Sequence, residues 1–244
     1  MSEKRVAIVT GGSRGVGAAT AKMLSDNGWN VLITCSSSLA EAEIVAKKCS
    51  SKTAEVFALQ ADVAKDTDCE ATINMAVEKW GRIDALVNNA GTTKFAWDHS
   101  DLNSLDADDF QYIYGVNVVG PFQMVKAAKE HLLRAANSCV VNVSSIAGLK
   151  GIGSSLAYAS SKGALNTMTL SMARNLGPIR VNAVCPGFIE GEWLKKGMGP
   201  EMYEAVKLRV QTTTPLKQTC TPESVAEVIV NLIEKSELVT GQLV

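Results

Sequence analysis

Short apolar runs rich in β-branched residues alternate along this chain with longer segments of helical pattern. Because these runs are apolar on both faces, they are typical of strands in a parallel sheet that helices cover on both sides. We therefore predict an α/β fold built on a doubly wound parallel sheet. The predicted strands are Arg5–Thr10, Asn30–Cys35, Glu55–Leu59, Ala85–Val87, Cys139–Val143 and Arg180–Val184, and the predicted helices are 15–27, 39–49, 67–80, 107–117, 121–136 and 157–176.

The 244 residues contain no Pro/Ser-rich linker and no short repeat, so residues 1–244 are predicted to form a single domain. One stretch, residues 188–221, breaks the strand–helix rhythm with glycines, prolines and a short helical pattern over 201–210. Because loops this long are usually lids or binding segments, we name 188–221 the lid segment. A last helix is predicted over 222–235, with Thr221 as its N-cap, and a strand-like run over 238–244 would bring the sheet to about seven strands.

Charge and composition exclude several classes of partner. With 24 basic and 25 acidic side chains, the chain has no basic excess to neutralise a phosphate backbone, so no nucleic acid partner is expected. It has no run of about 18 apolar residues, so no membrane span is expected, and no signal-peptide pattern, so a cytoplasmic location is predicted. Six scattered cysteines and two distant histidines lack the spacing of a metal site and suggest reduced thiols.

A glycine-rich turn joins the first predicted strand to the first predicted helix. Its glycines follow the pattern Gly-x-x-x-Gly-x-Gly, which allows a tight turn and close approach of the backbone to a phosphate. The helix that follows offers free N–H groups and a partial positive charge to a pyrophosphate. An ordinary strand–turn–helix corner is the alternative. We predict that a dinucleotide is bound here by Gly11, Gly12, Ser13, Arg14, Gly15, Val16 and Gly17.

The pattern Tyr-x-x-x-Lys occurs twice, at Tyr158/Lys162 and at Tyr203/Lys207. On a helix, residues four apart share a face, so the phenol and the ammonium can lie together. A nearby cation lowers the pKa of a phenol and makes it a better proton donor. The spacing alone does not distinguish the two copies.

Five features occur in one order at mutually consistent spacings: the glycine turn, Asn88–Gly91, Ser145, Tyr158/Lys162 and Pro186-Gly187. Together they resemble the short-chain dehydrogenase/reductase (SDR) family, in particular its 3-oxoacyl-acyl-carrier-protein reductase-like branch. The resemblance spans essentially the whole chain and implies a Rossmann-type fold.

The resemblance also separates the two Tyr-x-x-x-Lys copies. In the family a serine at the end of a strand lies 13 residues before the catalytic tyrosine, and Ser145 has this position relative to Tyr158. The same offset from Tyr203 falls on Glu190, where no strand precedes it. Tyr203 and Lys207 are therefore assigned to a lid helix, and the neighbouring Ser144 is the alternative to Ser145.

The family implies roles for four residues as a catalytic set. Tyr158 would give a proton to a carbonyl oxygen or remove one from an alcohol, and Lys162 would lower its pKa and bind the nicotinamide ribose. Ser145 would hydrogen-bond the substrate oxygen where charge develops. Asn117 would hold a water in a proton relay to Lys162, and a helix-distorting or capping asparagine is its alternative.

Further cofactor contacts are implied at the ends of three other strands. Asp62 and Val63 match the adenine position, although a turn aspartate is the alternative. The remaining residues would follow the ribose and the nicotinamide amide, and they are Asn89, Ala90, Gly91, Pro186, Gly187 and Ile189.

The end of the second predicted strand bears on which nicotinamide cofactor is bound. A carboxylate there would bind a ribose diol and repel a 2′-phosphate. The sequence instead has Ser36, Ser37 and Ser38, with no acid until Glu41, and Arg14 can reach the same ribose. A guanidinium beside hydroxyls suits a phosphate, so NADP(H) is favoured over NAD(H).

We predict a small-molecule carbonyl or secondary alcohol as substrate, in an apolar pocket lined by 92–97, 146–152 and the lid segment. A carrier-linked acyl group is one of several substrates that the sequence allows. The family implies a homotetramer, or a homodimer, built through 121–136 and 157–176. A cofactor-binding regulatory protein without turnover, and an epimerase or dehydratase on the same fold, remain the alternatives.

Overall fold

The computed structural model, which describes residues 4–244, contains one parallel sheet of six strands. Its order is β3-β2-β1-β4-β5-β6, where the strands are β1 Val6–Val9, β2 Asn30–Cys35, β3 Val56–Gln60, β4 Ala85–Asn88, β5 Cys139–Val143 and β6 Arg180–Val184. The strand order reverses direction between β1 and β4. The carboxyl ends of strands at such a switch point form the crevice where doubly wound folds bind ligands.

Helices cover both faces of the sheet, as the prediction of an α/β doubly wound fold requires. Within β1, Ala7 and Val9 belong to the core on one face, whereas Ile8 belongs to the core on the other. The helices are α1 Gly15–Asp26, α2 Leu39–Cys49, α3 Asp66–Trp80, α4 Ala107–Tyr114, α5 Gly120–Arg134, α6 Ala147–Lys150, α7 Leu156–Asn175, α8 Glu192–Met198, α9 Pro200–Thr213 and α10 Pro222–Glu234.

Two elements differ from their prediction. The seventh strand reduces to an isolated bridge between Leu243 and Ala183, with backbone hydrogen bonds that join 241–244 to 181–185. The sequence predicted two separate helices, 107–117 and 121–136, but a π-helical segment, Gly115–Val119, joins α4 to α5 and makes them continuous. In this segment the N–H of Gly120 donates to the carbonyl of Gly115, five residues back.

Thr221 caps α10 as predicted. Its hydroxyl accepts from the N–H of Ser224 at 3.1 Å, and the Ser224 hydroxyl accepts from the N–H of Thr221 at 3.0 Å. Within residues 4–244, none of the helices combines the length and the apolar character needed to cross a membrane.

Candidate active site

The glycine turn lies between β1 and α1 and is shaped for close contacts. Gly11 and Gly15 have φ of +65° and +55°, in the left-handed region that favours glycine. A Cβ on Gly17 would lie 2.3 Å from the Gly11 carbonyl oxygen, and one on Gly12 would lie 2.5 Å from Cβ of Ile33. No side chain caps the first N–H groups of α1, so they are available to an anion. The turn therefore fits the phosphates of a dinucleotide.

Two side chains join this turn to the loop after β4. The Asn89 amide donates to the carbonyls of Thr10 and Gly11 at 2.8 and 2.9 Å. The Thr10 hydroxyl accepts from the N–H groups of Asn89 and Ala90, both at 3.0 Å. Asn89, Ala90 and the glycine turn thus meet at the switch point, and their contact with a ribose and a pyrophosphate stays a prediction.

Ser145 and Tyr158 lie together at the adjacent end of β5. Ser145 follows β5, and its hydroxyl accepts from the N–H of Ala147 at 3.1 Å. Tyr158 lies in the first turn of α7, where Ser155 caps the helix by accepting from the Tyr158 N–H at 3.2 Å. The Ser145 hydroxyl donates to the Pro186 carbonyl at 3.5 Å, and its proximity to the Tyr158 hydroxyl lowers the pKa of that phenol. Ser144 points elsewhere: its hydroxyl donates to the backbone carbonyl of Lys162 at 3.2 Å.

Lys162 is buried one helical turn beyond Tyr158. Its Nζ lies 5.7 Å from the centroid of the Tyr158 ring and donates to the Val143 carbonyl at 2.8 Å. Burial lowers the pKa of Lys162 to about 8. The helix backbone at Lys162 touches α6 so closely that a Cβ on Gly148 would lie 2.4 Å from the Lys162 carbonyl carbon.

The predicted lowering of the Tyr158 pKa by Lys162 is wrong for this structure. Burial raises the pKa of Tyr158, and the neighbouring Ser145 hydroxyl opposes that rise. Lys162 Nζ lies 5.7 Å from the centroid of the Tyr158 ring, and it does not offset the effect of burial on the phenol. Tyr158 is therefore held in its protonated form at neutral pH.

Asn117 lies at the centre of the π-helical segment and is fully buried. Its Oδ1 accepts from the Thr92 N–H at 2.8 Å, and its Nδ2 donates to the Thr92 carbonyl at 2.9 Å and to the Ser161 hydroxyl at 3.0 Å. A Cβ on Gly91 would lie 3.4 Å from Asn117 Oδ1 and 3.6 Å from Lys162 Nζ. Gly91, Asn117 and Lys162 thus surround one small space beside Tyr158.

The remaining predicted residues lie at the same edge of the sheet. Ser36 and Ser37 are exposed after β2, and Pro186 and Gly187 follow β6. Val63 is buried against Gly120, where a Cβ would lie 2.8 Å from Cγ2 of Val63. Two of the predicted cofactor-binding residues make contacts within the protein that favour a structural role. Asp62 Oδ1 accepts from the Ala64 N–H at 3.1 Å in a turn. Ile189 forms an isolated bridge with Cys220.

The second Tyr-x-x-x-Lys copy lies on α9 and holds the base of the lid segment. The buried Tyr203 hydroxyl accepts from the Gly191 N–H at 3.2 Å, and its ring packs against Phe188 at 5.1 Å. Lys207 donates to Glu190 at 2.8 Å, and Thr219 donates to the other oxygen of that carboxylate. Tyr203 and Lys207 therefore have separate anchoring partners, in agreement with their assignment to a lid helix.

Three aromatic rings join α8 to the loop after β4. Phe95 packs against Trp97 and Trp193 with ring centroids 5.4 and 5.3 Å apart, and Trp97 Nε1 donates to the Gly197 carbonyl at 3.2 Å. A Cβ on Gly197 would lie 2.0 Å from the Phe95 ring, so any side chain here would have to displace that ring. We call Phe95, Trp97, Trp193 and Gly197 the aromatic clasp.

Sequence reasoning missed three residues that position the site. Thr10 joins two loops, Ser155 caps α7, and the buried Ser161 links Asn117 to α7. A serine before a helical pattern is a recognisable capping signal for Ser155. The sequence contains no comparable signal for Thr10 or Ser161, because their partners are distant in the chain.

A doubly wound parallel sheet with a glycine turn and an uncapped helix at its switch point defines a dinucleotide-binding protein. The chain belongs to the short-chain dehydrogenase family, whose model matches residues 5–198. It is an NAD(P)-dependent oxidoreductase of this family, and its relatives support the 3-oxoacyl-acyl-carrier-protein reductase-like branch.

Relatives of known name and solved structures resemble the chain over nearly its full length. It is 39% identical, over 99% of this chain and 94% of the relative, to a protein named as ketoacyl reductase 2 of the granaticin polyketide synthase from Streptomyces violaceoruber. It is 31% identical, over 100% and 97%, to 3-oxoacyl-acyl-carrier-protein reductase from Staphylococcus aureus. A crystal structure of a short-chain dehydrogenase/reductase from Burkholderia xenovorans matches with TM-score 0.90 and 40% identity, over 100% and 96% of the two chains.

Proposed function

We propose that this protein is an NADP(H)-dependent oxidoreductase that interconverts a carbonyl compound and a secondary alcohol, with Tyr158 as general acid and base. The observation that carries this proposal is that Ser145 and Tyr158 lie side by side, next to the buried Lys162 and at the edge of the sheet where the glycine turn lies. The bound nicotinamide would supply or accept the hydride. The protein residues would position the substrate and move the proton.

The Tyr158 phenol is protonated at neutral pH, so it carries the proton that a carbonyl oxygen must receive in the reductive direction. The Ser145 hydroxyl, next to that phenol, would donate to the same oxygen as negative charge develops on it. Lys162 would bind the ribose hydroxyls. Asn117 Oδ1 faces the space shared with Lys162, which supports a role in returning a proton to Lys162.

Arg14 and the exposed Ser36 and Ser37 are the groups we assign to the 2′-phosphate of NADP(H). Arg14 is exposed at the start of α1, and the sequence places no carboxylate between Ser36 and Glu41 to repel a phosphate. The family relatives imply a nicotinamide cofactor, and a solved relative is titled NAD⁺-bound xylitol dehydrogenase, so both cofactors occur among proteins of this fold.

The substrate is proposed to be a small carbonyl compound, free or carrier-linked. The named relatives, two of which are reductases of ketoacyl groups, support a 3-oxoacyl substrate as the first to test. A homotetramer is proposed through α5 and α7, because Phe122 and Leu170 expose large apolar side chains on these helices. A solution mass equal to one chain would contradict it.

The test of the proposed function is a carbonyl panel with NADPH, comparing the wild type with Tyr158→Phe. We expect the substitution to lower kcat by about 10²–10⁴-fold while the Kd for NADPH changes little, since the phenol acts as a general acid. Tyr203→Phe is the matched control from the second copy and should retain turnover. Equal turnover by Tyr158→Phe and the wild type would overturn the mechanism.

A further inference from the structure

A cavity of about 280 Å³ lies where the glycine turn, the loop after β4 and the lid segment meet. Two cations line it: Arg14 from the start of α1 and Lys196 from α8. Phe95, Trp193 and Gly197 of the aromatic clasp form its apolar wall, and Glu192 is its one acidic lining residue. In residues 4–244, neither Arg14 nor Lys196 forms an ion pair with a carboxylate, Glu192 included.

The geometry of α8 sets where Lys196 can reach. The helix is bounded by Gly191 and Gly199, with φ of +157° and +77°, so glycine-specific backbone separates it from the chain on either side. The aromatic clasp holds its last turn, because Trp97 Nε1 donates to the carbonyl of Gly197, the residue next to Lys196. The lid segment therefore presents a lysine to the same cavity as the glycine turn.

From this arrangement we infer that Lys196 is a further cofactor-binding residue, which contacts a phosphate of the dinucleotide together with Arg14. The inference rests on the proposed function. A phosphate at the uncapped start of α1 would lie next to Arg14, and the cavity wall opposite is the helix that carries Lys196. Glu192 opposes the binding, because its carboxylate repels the same phosphate. The cofactor thus bridges the lid segment to the body of the protein.

The test is the Kd of NADPH and of NADH, measured by titration calorimetry on the full chain. We expect Lys196→Gln to weaken binding by about threefold to tenfold, as for one partly exposed charge contact. Lys195→Gln is the matched control: Lys195 is the exposed neighbour outside the cavity lining, and its substitution should change Kd by less than about twofold. Glu192→Gln should tighten binding, which is a change of opposite sign.

The outcomes distinguish which phosphate of the dinucleotide Lys196 contacts, the pyrophosphate or the 2′-phosphate. An equal loss for both dinucleotides assigns Lys196 to the pyrophosphate, whereas a loss confined to NADPH assigns it to the 2′-phosphate. A Kd for Lys196→Gln equal to that for Lys195→Gln would overturn the inference and leave the proposed function intact. Failure of the wild type to bind either dinucleotide would instead refute the proposed function, and the inference with it.

Discussion

Asn117 and Tyr158 are connected through a single buried hydroxyl group. Ser161 accepts from Asn117 Nδ2 at 3.0 Å and donates to the backbone carbonyl of Tyr158 at 2.7 Å. Asn117 belongs to the π-helical segment and Tyr158 to α7, so one side chain fixes the relation between two elements that meet at the site. Ser161 is a positioning residue in this respect, since it acts through its neighbours.

Ser161→Ala should destabilise the protein, because it leaves a donor of the buried Asn117 amide without a partner. We expect the free energy of unfolding, measured by urea denaturation, to fall by about 1–3 kcal/mol. Ser160→Ala is the matched control on the same helix turn, since the Ser160 hydroxyl donates only to the Ala157 carbonyl, at 3.0 Å. Equal losses in the two variants would show that the link to Asn117 contributes nothing.

Gly91→Ala should separate activity from stability. The added methyl would lie 3.4 Å from Asn117 Oδ1 and 3.6 Å from Lys162 Nζ, which is ordinary contact and leaves the fold in place. It would fill the space that the proposed proton relay needs, so kcat should fall by about tenfold or more. Thermal unfolding with parallel turnover assays measures both effects. Gly163→Ala is the control: its methyl would meet only the Gly148 carbonyl, at 3.5 Å, and turnover should persist. An unchanged kcat in Gly91→Ala would argue against the proton relay.

Lys162 should make the stability of the protein depend on alkaline pH. Burial lowers its pKa from 10.5 to about 8, so between these pH values the unfolded chain keeps a proton that the folded protein has released. The free energy of unfolding therefore rises with pH across this interval, and below it the folded protein bears the full cost of the buried charge. Relative to Lys162→Met, the rise should be on the order of 3 kcal/mol.

Urea denaturation of the wild type and of Lys162→Met at several pH values between 7 and 10.5 measures this difference, spanning the range over which Lys162 loses its proton. Other groups that titrate in the range are common to both proteins and largely cancel. A difference that does not vary with pH would mean that Lys162 keeps an ordinary pKa.

Arg14→Ala should reduce the preference for NADPH over NADH. Loss of a charge-assisted hydrogen bond to a 2′-phosphate should raise the Kd for NADPH by about 10-fold to 100-fold, with a smaller change for NADH. Arg134→Ala, which removes an exposed arginine at the end of α5, provides the control for the change in net charge. Tighter binding of NADH by the wild type, or an unchanged preference in Arg14→Ala, would contradict NADP(H) as the cofactor.

The sequence predicted the sheet well because each strand is a short continuous run of apolar residues. Such a run can be recognised without knowledge of its tertiary contacts. Helix α8 was not predicted, because seven residues between two glycines are too short to be helical alone. Packing of Trp193 and Gly197 against Phe95, a residue about one hundred positions earlier in the chain, accompanies its formation. The π-helical segment was missed for a related reason, since Asn117 finds its partners on a distant loop and on α7.

At the candidate site, the spacing of Tyr158 and Lys162 on one helix face predicted their proximity. It could not predict the pKa of Tyr158, because the sign of the shift depends on burial and not on spacing. The Lys162 ammonium donates to the Val143 carbonyl at the end of β5. The sequence could not predict this partner, because no local pattern relates the two residues.

The hydrogen bonds that join Asn89 and Thr10 across the glycine turn bear on the thermodynamics of association. They hold the glycine turn and the loop after β4 in one fixed arrangement, and folding of the chain establishes this arrangement before a dinucleotide binds. Association with a dinucleotide would then lose little conformational entropy along this part of the cleft. A substitution that breaks these hydrogen bonds would leave the turn to be ordered on association, and should therefore weaken the binding of a dinucleotide.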